Sequence, residues 1–383
     1  MKRRSFLTGI SSLSLGYLLA GCDLQQSNTE GIFQVRLLKN SIPAQLVSNF
    51  QKQLAGETIV KFKTQPQLKD LFILLQQWQG VINTPKSPQL LPPEIVNLLT
   101  LGDYWLFQAI RQNLIQPIDI NGLENWATLP EQWQNLVKRN EKGEVDPQGK
   151  VWGVPYSGGN TLIVYRQPEF KKLGWTPTDW SDLWRPELRG RFSLLDQPRE
   201  VIGLTLKKLG KSYNTTDLAT VPQLKSELVK LNQQAKFYSS DSYLQPLLTG
   251  DTWLAVGWSS DILPILSRHK ELRAVVPNSG TALWANLWVK PSQAQAHSLS
   301  QVWMNYCLQP KIAQQLSVSS ENFSPILFHL APTDLIPSLQ KNPLLIPSPA
   351  IMAKSEFLHP LPANVLKEYE KLWQAIRVSN IIL

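Results

Sequence analysis

Short apolar runs with strand-like spacing recur in the first third of the chain, and each is followed by a segment whose apolar residues recur every three or four positions. The first pattern is typical of a strand and the second of an amphipathic helix. Val35–Leu38 thus predicts a strand, and Pro43–Leu54 predicts a helix with Leu46 and Phe50 on one face. Four more elements follow in the same order: a strand over 58–62, a helix over 68–79, a strand near 95–99 and a helix over 104–113. Strands that alternate with helices indicate an α/β fold with largely parallel or mixed sheets.

The middle of the chain contains two predicted strands on either side of a glycine pair. Trp152–Tyr156 and Thr161–Tyr165 have the composition of strands, and we expect Gly158 and Gly159 between them to form a tight turn. The remaining predicted elements continue the alternation: helices over 198–209, 222–236, 293–308, 310–316 and 364–376, and strands over 192–195, 254–258 and 283–289.

The first residues have the pattern of an export signal instead. Three basic residues at positions 2–4 precede an apolar, serine-containing stretch that is too short for a stable membrane span. The run Arg3-Arg4-Ser5-Phe6-Leu7 is similar to a twin-arginine export motif. We therefore predict a signal peptide over 1–21.

The end of this stretch, Leu19-Ala20-Gly21-Cys22, resembles a bacterial lipobox. The resemblance implies cleavage before Cys22, lipid on its sulfur, and a polar tether over 22–31. The alternative is a secreted protein in which Cys22 has no such role.

Length and charge exclude several classes of protein. The chain has 383 residues, more than the ~250–300 at which a single core stops growing, so we expect two lobes. The formal net charge of +9 falls to +6 without residues 1–21, and its basic residues form no blocks that would indicate nucleic-acid binding. Two cysteines and four scattered histidines argue against a disulfide framework and a metal site. We expect no metal and no cofactor.

An ordered series of motifs carries a family resemblance. Its members are Gly153-Val154-Pro155-Tyr156, the segments 180–190, 195–201 and 206–210, and Asn214-Thr215-Thr216-Asp217. In this order and spacing they resemble the bacterial spermidine/putrescine-binding periplasmic proteins, which are extracellular solute-binding proteins of ABC importers. The resemblance is dense over 150–290, thinner over 32–120 and loose after 320.

The resemblance implies the type II periplasmic-binding-protein fold, with two α/β lobes and a hinge. Lobe one would comprise 32–160 plus 287–330, and lobe two 161–286 plus 331–383. A polyamine such as putrescine or spermidine would bind between the lobes, and the permease would recognise the closed form. The protein would then be a monomeric, non-catalytic receptor on the periplasmic side of the cytoplasmic membrane, held there by its lipid.

A polyamine site needs aromatic faces for ammonium groups and carboxylates that accept charge-assisted hydrogen bonds. By position in the motifs, the resemblance places Tyr104, Trp258 and Trp284 on family aromatics and Glu200 on a family carboxylate. Asp103, Asp261 and Asp196 are nearby candidate acids without a direct match.

Several positions depart from the family pattern. Asn286 stands where an aspartate usually grips an amine, and Gln197 stands at another acidic position. Leu38, Ser41 and Gly158 replace three aromatics. These changes would remove most of the binding free energy that a polyamine needs. Either substitute groups such as Asp103 or Asp261 restore it, or the ligand is a different one.

Each candidate also has a purely structural interpretation. Asp103 could be a helix N-cap, Glu200 a first-turn charge favoured by the helix dipole, and the indoles of Trp258 and Trp284 parts of a core. Asn286 could still accept a hydrogen bond from an ammonium through its side-chain oxygen.

Three alternative functions stay open. The neutral Asn286 and Gln197 favour a receptor of the same fold for another solute. The lost aromatics allow a non-transport lipoprotein that no longer binds a ligand. An exported hydrolase is the least favoured, since Ser157 lacks a nucleophile-elbow motif and no histidine has a triad context.

Overall fold

A computed structural model describes residues 31–54, 58–80 and 94–378. The predicted signal peptide and Cys22 lie outside these residues. The strands are β1 Phe33–Leu38, β2 Val60–Gln65, β3 Leu98–Gly102, β4 Ile115–Gln116, β5 Lys138–Arg139, β6 Lys150–Val151, β7 Val154–Arg166, β8 Phe192–Leu194, β9 Phe237–Tyr238, β10 Leu254–Trp258, β11 Leu272–Val275, β12 Ala282–Pro291 and β13 Glu356–Phe357.

The helices occupy most of the predicted positions. They are α1 Ala44–Gln53, α2 Leu68–Trp78, α3 Leu106–Arg111, α4 Glu131–Val137, α5 Gln167–Leu173, α6 Pro198–Lys208, α7 Leu224–Gln234, α8 Gln245–Thr249, α9 Ser259–Leu266, α10 Leu299–Leu308, α11 Pro310–Ser320, α12 Pro337–Gln340, α13 Pro349–Met352 and α14 Ala363–Val378. Among these described helices, none combines the length and apolar character needed to cross a bilayer.

The strands form a mixed sheet in the order β2-β1-β3-β12-β7-β10-β8-β9. At one end β1 runs parallel to β2 and β3, and at the other β8 runs parallel to β9 and β10. The long strands β7 and β12 are antiparallel to their neighbours in the middle. This arrangement confirms the predicted α/β class.

The predicted turn at the glycine pair is wrong, because β7 runs without interruption through Gly158 and Gly159. The first half of β7 pairs with β12, and its second half pairs with β10 and β11. A Cβ atom on Gly158 would lie 2.5 Å from the carbonyl oxygen of Trp284, and one on Gly159 would lie 2.2 Å from the Trp284 ring. Glycine is needed here for close approach of a neighbouring strand.

The helix predicted from Gln293 begins six residues later, at Leu299. The side-chain amide of Gln116 donates hydrogen bonds to the carbonyls of Pro291, Ser292 and Ala294. These bonds hold the backbone before α10 in a non-helical path.

Apolar side chains pack in two core clusters. One surrounds β1, β3, β12 and α10, and the other surrounds α6, α7 and α14. Trp180 and Cys307 are both buried in these cores. The first cluster extends into β10 and α9, so the lobe boundaries at 160, 286 and 330 stay predictions.

Candidate ligand-binding site

Glu200 is a buried carboxyl in the first turn of α6. Its side chain accepts hydrogen bonds from the Thr161 hydroxyl at 3.0 and 3.1 Å and from the Trp258 indole N–H at 3.2 Å. Burial raises the pKa of Glu200 to about 7, against the opposing effects of these hydrogen bonds and of the charge of Arg199. Glu200 therefore links α6 to β7 and β10. Its pKa will shift when a charged group enters the site.

Trp258 ends β10 and is fixed through its backbone. Its N–H donates to the Tyr243 hydroxyl at 3.2 Å, and this hydroxyl donates to the Asp261 carboxylate at 2.8 Å. The Tyr243 ring lies where a Cβ on Gly257 would be. The half-buried indole is thus held with its N–H on Glu200.

Asp103 follows β3 and binds the neighbouring strand β12. Its Oδ1 accepts a hydrogen bond from the backbone N–H of Ala285 at 3.0 Å. Burial raises the pKa of Asp103 to about 6. Ala285 lies between Trp284 and Asn286, so this bond places a carboxyl beside both candidates.

Trp284 and Asn286 each carry a buried polar atom without a hydrogen-bond partner. Asn286 is 2% exposed, and its Nδ2 donates to the Ser157 hydroxyl at 3.2 Å, while its Oδ1 has no partner. The Trp284 indole lies against Gly159, and its N–H is likewise unpartnered.

Two groups of candidates flank the central segment of β7, residues 157–161. Glu200 and Trp258 meet at Thr161 on the β10 side, whereas Trp284 and Asn286 pair with the segment from β12. The structure therefore brings these four candidates to one strand, and Asp103 joins them through its hydrogen bond to Ala285.

Tyr104 is the exception, because 74% of its surface is exposed. Its ring contacts only the edge of Trp105 among the described aromatic pairs, with 5.2 Å between centroids. Arg199 on α6 nonetheless lies within electrostatic range of both Tyr104 and Glu200. Tyr104 is therefore an exposed side chain and is not packed among the other candidates.

Arg139 is a charged residue of this region that the sequence analysis missed. It is 2% exposed in β5, its Nε donates to the Leu136 carbonyl at 2.8 Å, and its Nη1 has no partner. Burial lowers its pKa to about 10, so it stays charged at neutral pH, and its charge acts on Asp103 and His359. In a segment rich in lysine and glutamate, nothing in the sequence distinguishes Arg139 from an exposed base.

No three His, Cys, Asp or Glu side chains of the described chain cluster as metal ligands would. The site instead offers carboxylates, indole faces and a guanidinium. Such groups bind organic ions.

An α/β molecule with these groups beside β7, a strand that contributes to both core clusters, has the features of a periplasmic binding protein. Solved structures confirm this fold: PotD of Streptococcus pneumoniae, described as a spermidine/putrescine ABC transporter substrate-binding protein, superposes with a TM-score of 0.76 at 20% identity, over 91% of this chain and 99% of that one. The TpPotD lipoprotein of Treponema pallidum gives a TM-score of 0.66 at 18% identity, over 90% and 99% of the two chains.

The sequence comparisons give the family. The model of the bacterial extracellular solute-binding proteins matches residues 93–355, and the chain belongs to that family. Spermidine/putrescine-binding periplasmic protein 1 of Haemophilus influenzae is 25% identical, covering 74% of this chain and 75% of its own. The putrescine-binding periplasmic protein PotF of Escherichia coli is 24% identical, covering 86% and 90%. The family resemblance seen in the motifs is thereby confirmed.

Proposed function

We propose that the protein is the substrate-binding component of an ABC importer and that it binds an aliphatic amine of the polyamine class. The observation that carries this proposal is Glu200, a buried carboxyl held by Thr161 and the Trp258 indole. Its carboxyl and that indole form the pair of groups that an ammonium requires. The names of the relatives support the same class of ligand.

Energetics limit how much of a polyamine this site can hold. Micromolar affinity requires about −8 kcal/mol, a charged hydrogen bond supplies roughly 1.5–3 kcal/mol, and a cation–π contact supplies about 0.5–2 kcal/mol. Glu200 and Trp258 together supply about 2–5 kcal/mol for one ammonium, so micromolar binding also needs contacts to the rest of the ligand. The neutral Asn286 offers the other end an amide oxygen without charge.

The protein acts by binding and release, without catalysis, and delivers its ligand to permease subunits that are separate chains. Lipid on Cys22 keeps it on the periplasmic side of the cytoplasmic membrane. The lipobox-like sequence before Cys22 supports this anchor. Cys22→Ser is expected to release the exported protein from the membrane fraction, and mass spectrometry of the native protein should find acyl chains on Cys22. An unmodified Cys22 in membrane-free protein would contradict the anchor.

Isothermal titration of residues 23–383 with putrescine and spermidine tests the ligand class. We expect binding at micromolar level or tighter, and Glu200→Gln should weaken it by about tenfold or more, since a charged hydrogen bond is lost. Glu187→Gln, which changes an exposed glutamate, is the matched control and should bind like wild type. Titrations without heat at millimolar amine would reject the polyamine class and favour another solute or a receptor that has lost its ligand.

A further inference from the structure

A buried guanidinium is unexpected in a site for cations. Arg139 is 2% exposed, and its Nη1 has no hydrogen-bond partner. Asp103 acts on Arg139 through its charge, with no hydrogen bond between the two side chains. Leaving a buried charged donor unpaired costs about 1–3 kcal/mol or more, so this nitrogen is suited to an acceptor that arrives with a ligand.

Arg139 and Glu200 lie toward opposite ends of the central segment of β7. Glu200 is bonded to Thr161. Arg139 lies near Asp103, which is bonded to Ala285, and Ala285 pairs with Gly158. Thr161 lies three residue steps beyond Gly158, about 10 Å along β7. That separation suits a short aliphatic chain that makes a hydrogen bond at each end.

The charged groups of the site come close to cancelling without a ligand. Asp103, Glu200 and Asp261 carry three negative charges, and Arg139 and Arg199 carry two positive ones, when all are ionised. His359 adds no charge at neutral pH, because burial and the two nearby arginines lower its pKa to about 4. The second ammonium of a diamine would meet the Arg139 guanidinium near the neutral Asn286. A ligand with one ammonium and one acceptor puts no second cation beside Arg139.

We propose that the ligand is an aliphatic amine whose second end carries an oxygen acceptor, a carboxylate or an acyl oxygen, in place of a second ammonium. Its ammonium binds Glu200 and its acceptor oxygen takes the Nη1 hydrogen bond of Arg139. Arg139 is then the residue that selects among amines. This inference rests on the proposed function, since it uses the same site and the same ammonium contact.

The test compares three ligands that share a four-carbon chain: putrescine, 4-aminobutanoate and N-acetylputrescine. Isothermal titration of residues 23–383 should show that one or both acceptor-bearing amines bind about tenfold or more tighter than putrescine, the gain of one charge-assisted hydrogen bond. Preference for 4-aminobutanoate identifies a carboxylate, and preference for N-acetylputrescine identifies an acyl oxygen.

Arg139→Gln should abolish this preference and leave putrescine binding equal to or tighter than that of wild type. Lys138→Gln is the matched control, because Lys138 precedes Arg139 in β5 and consecutive side chains of a strand point to opposite faces. If Arg139→Gln fails to fold, the wild-type series alone decides. Tighter binding of putrescine than of both other amines, or an unchanged preference in folded Arg139→Gln, would overturn the inference and leave the proposed function standing. Absence of binding by all three amines would reject both.

Discussion

Glu200 and Asp103 are held out of water, and among the described residues neither carboxyl has a cation bonded to it. Burial raises the pKa of both, to about 7 and about 6. An ammonium that enters the site favours the charged form of Glu200 and replaces the hydration that burial removed. The protein without a ligand is thus destabilised at the residue that we propose binds the ammonium.

Glu200→Gln should therefore stabilise the protein in a pH-dependent way. The folded-state pKa of Glu200 lies above the unfolded value of 4.5. The unfolding free energy of the wild-type protein therefore falls as pH rises from about 4.5 to 7. We expect the variant to be more stable than wild type above pH 7, by up to about 3 kcal/mol, and equal to it below about pH 4. Thermal unfolding followed by circular dichroism across this range measures the difference.

The control for this experiment is Glu187→Gln, whose exposed side chain should give the same pH profile as wild type. A stability difference between Glu200→Gln and wild type that stays constant at all pH values would show that the raised pKa has no energetic effect on folding.

Binding of the amine should depend on pH in the opposite sense. Between pH 8 and pH 6 a carboxyl with a pKa of about 7 loses most of its charge, so affinity for an ammonium should fall about tenfold. Titrations in buffers of different ionisation enthalpy should also detect proton release on binding near pH 7. Equal affinity at both pH values, with no proton released, would mean that Glu200 is already ionised before the ligand binds.

At the scale of elements, β7 positions the site, and sequence patterns predicted it only in part. Its two halves were recognised as strands, and the boundaries of β10 were predicted correctly. The glycine pair was read as a turn because glycine serves equally in turns and where another backbone approaches closely. The role of the pair becomes clear only when β12, which is distant in the sequence, is seen to pack against it.

Gly159→Ala tests this interpretation of the pair. A Cβ would lie 2.2 Å from the Trp284 ring and 2.3 Å from the Ser259 hydroxyl, so the indole must move. We expect a loss of about 1–3 kcal/mol in unfolding free energy and weaker amine binding. Gly31→Ala, where a Cβ meets no atom within 4 Å, should change neither quantity. If Gly159→Ala has the stability and affinity of the wild type, then Trp284 has room to move and its position is not needed for amine binding.

At the scale of the whole molecule, the order of motifs identified the family and therefore the fold, which no single pattern of polarity could do. The sequence predicted the residues of the candidate site less completely. Glu200 and Trp258 were found by their motif positions, whereas Arg139 is brought beside Asp103 by chain folding alone. A charge that becomes buried through long-range packing leaves no signal in its local sequence.

We expect the two-lobe fold to respond to a ligand by closing around it. We expect a bound amine to reduce the radius of gyration measured by small-angle X-ray scattering of residues 23–383. The fluorescence of Trp258 and Trp284 should change at the same ligand concentration.

Closure should require the ammonium contact, because a ligand shifts the equilibrium only by its extra affinity for the closed form. Glu200→Gln should therefore keep the larger radius at ligand concentrations that compact the wild type, and it should compact only when the amine is raised about tenfold or more. Glu187→Gln should compact like wild type. If the radius is the same with and without amine while calorimetry shows binding, the ligand binds to one lobe, and the signal to the permease cannot be closure around it.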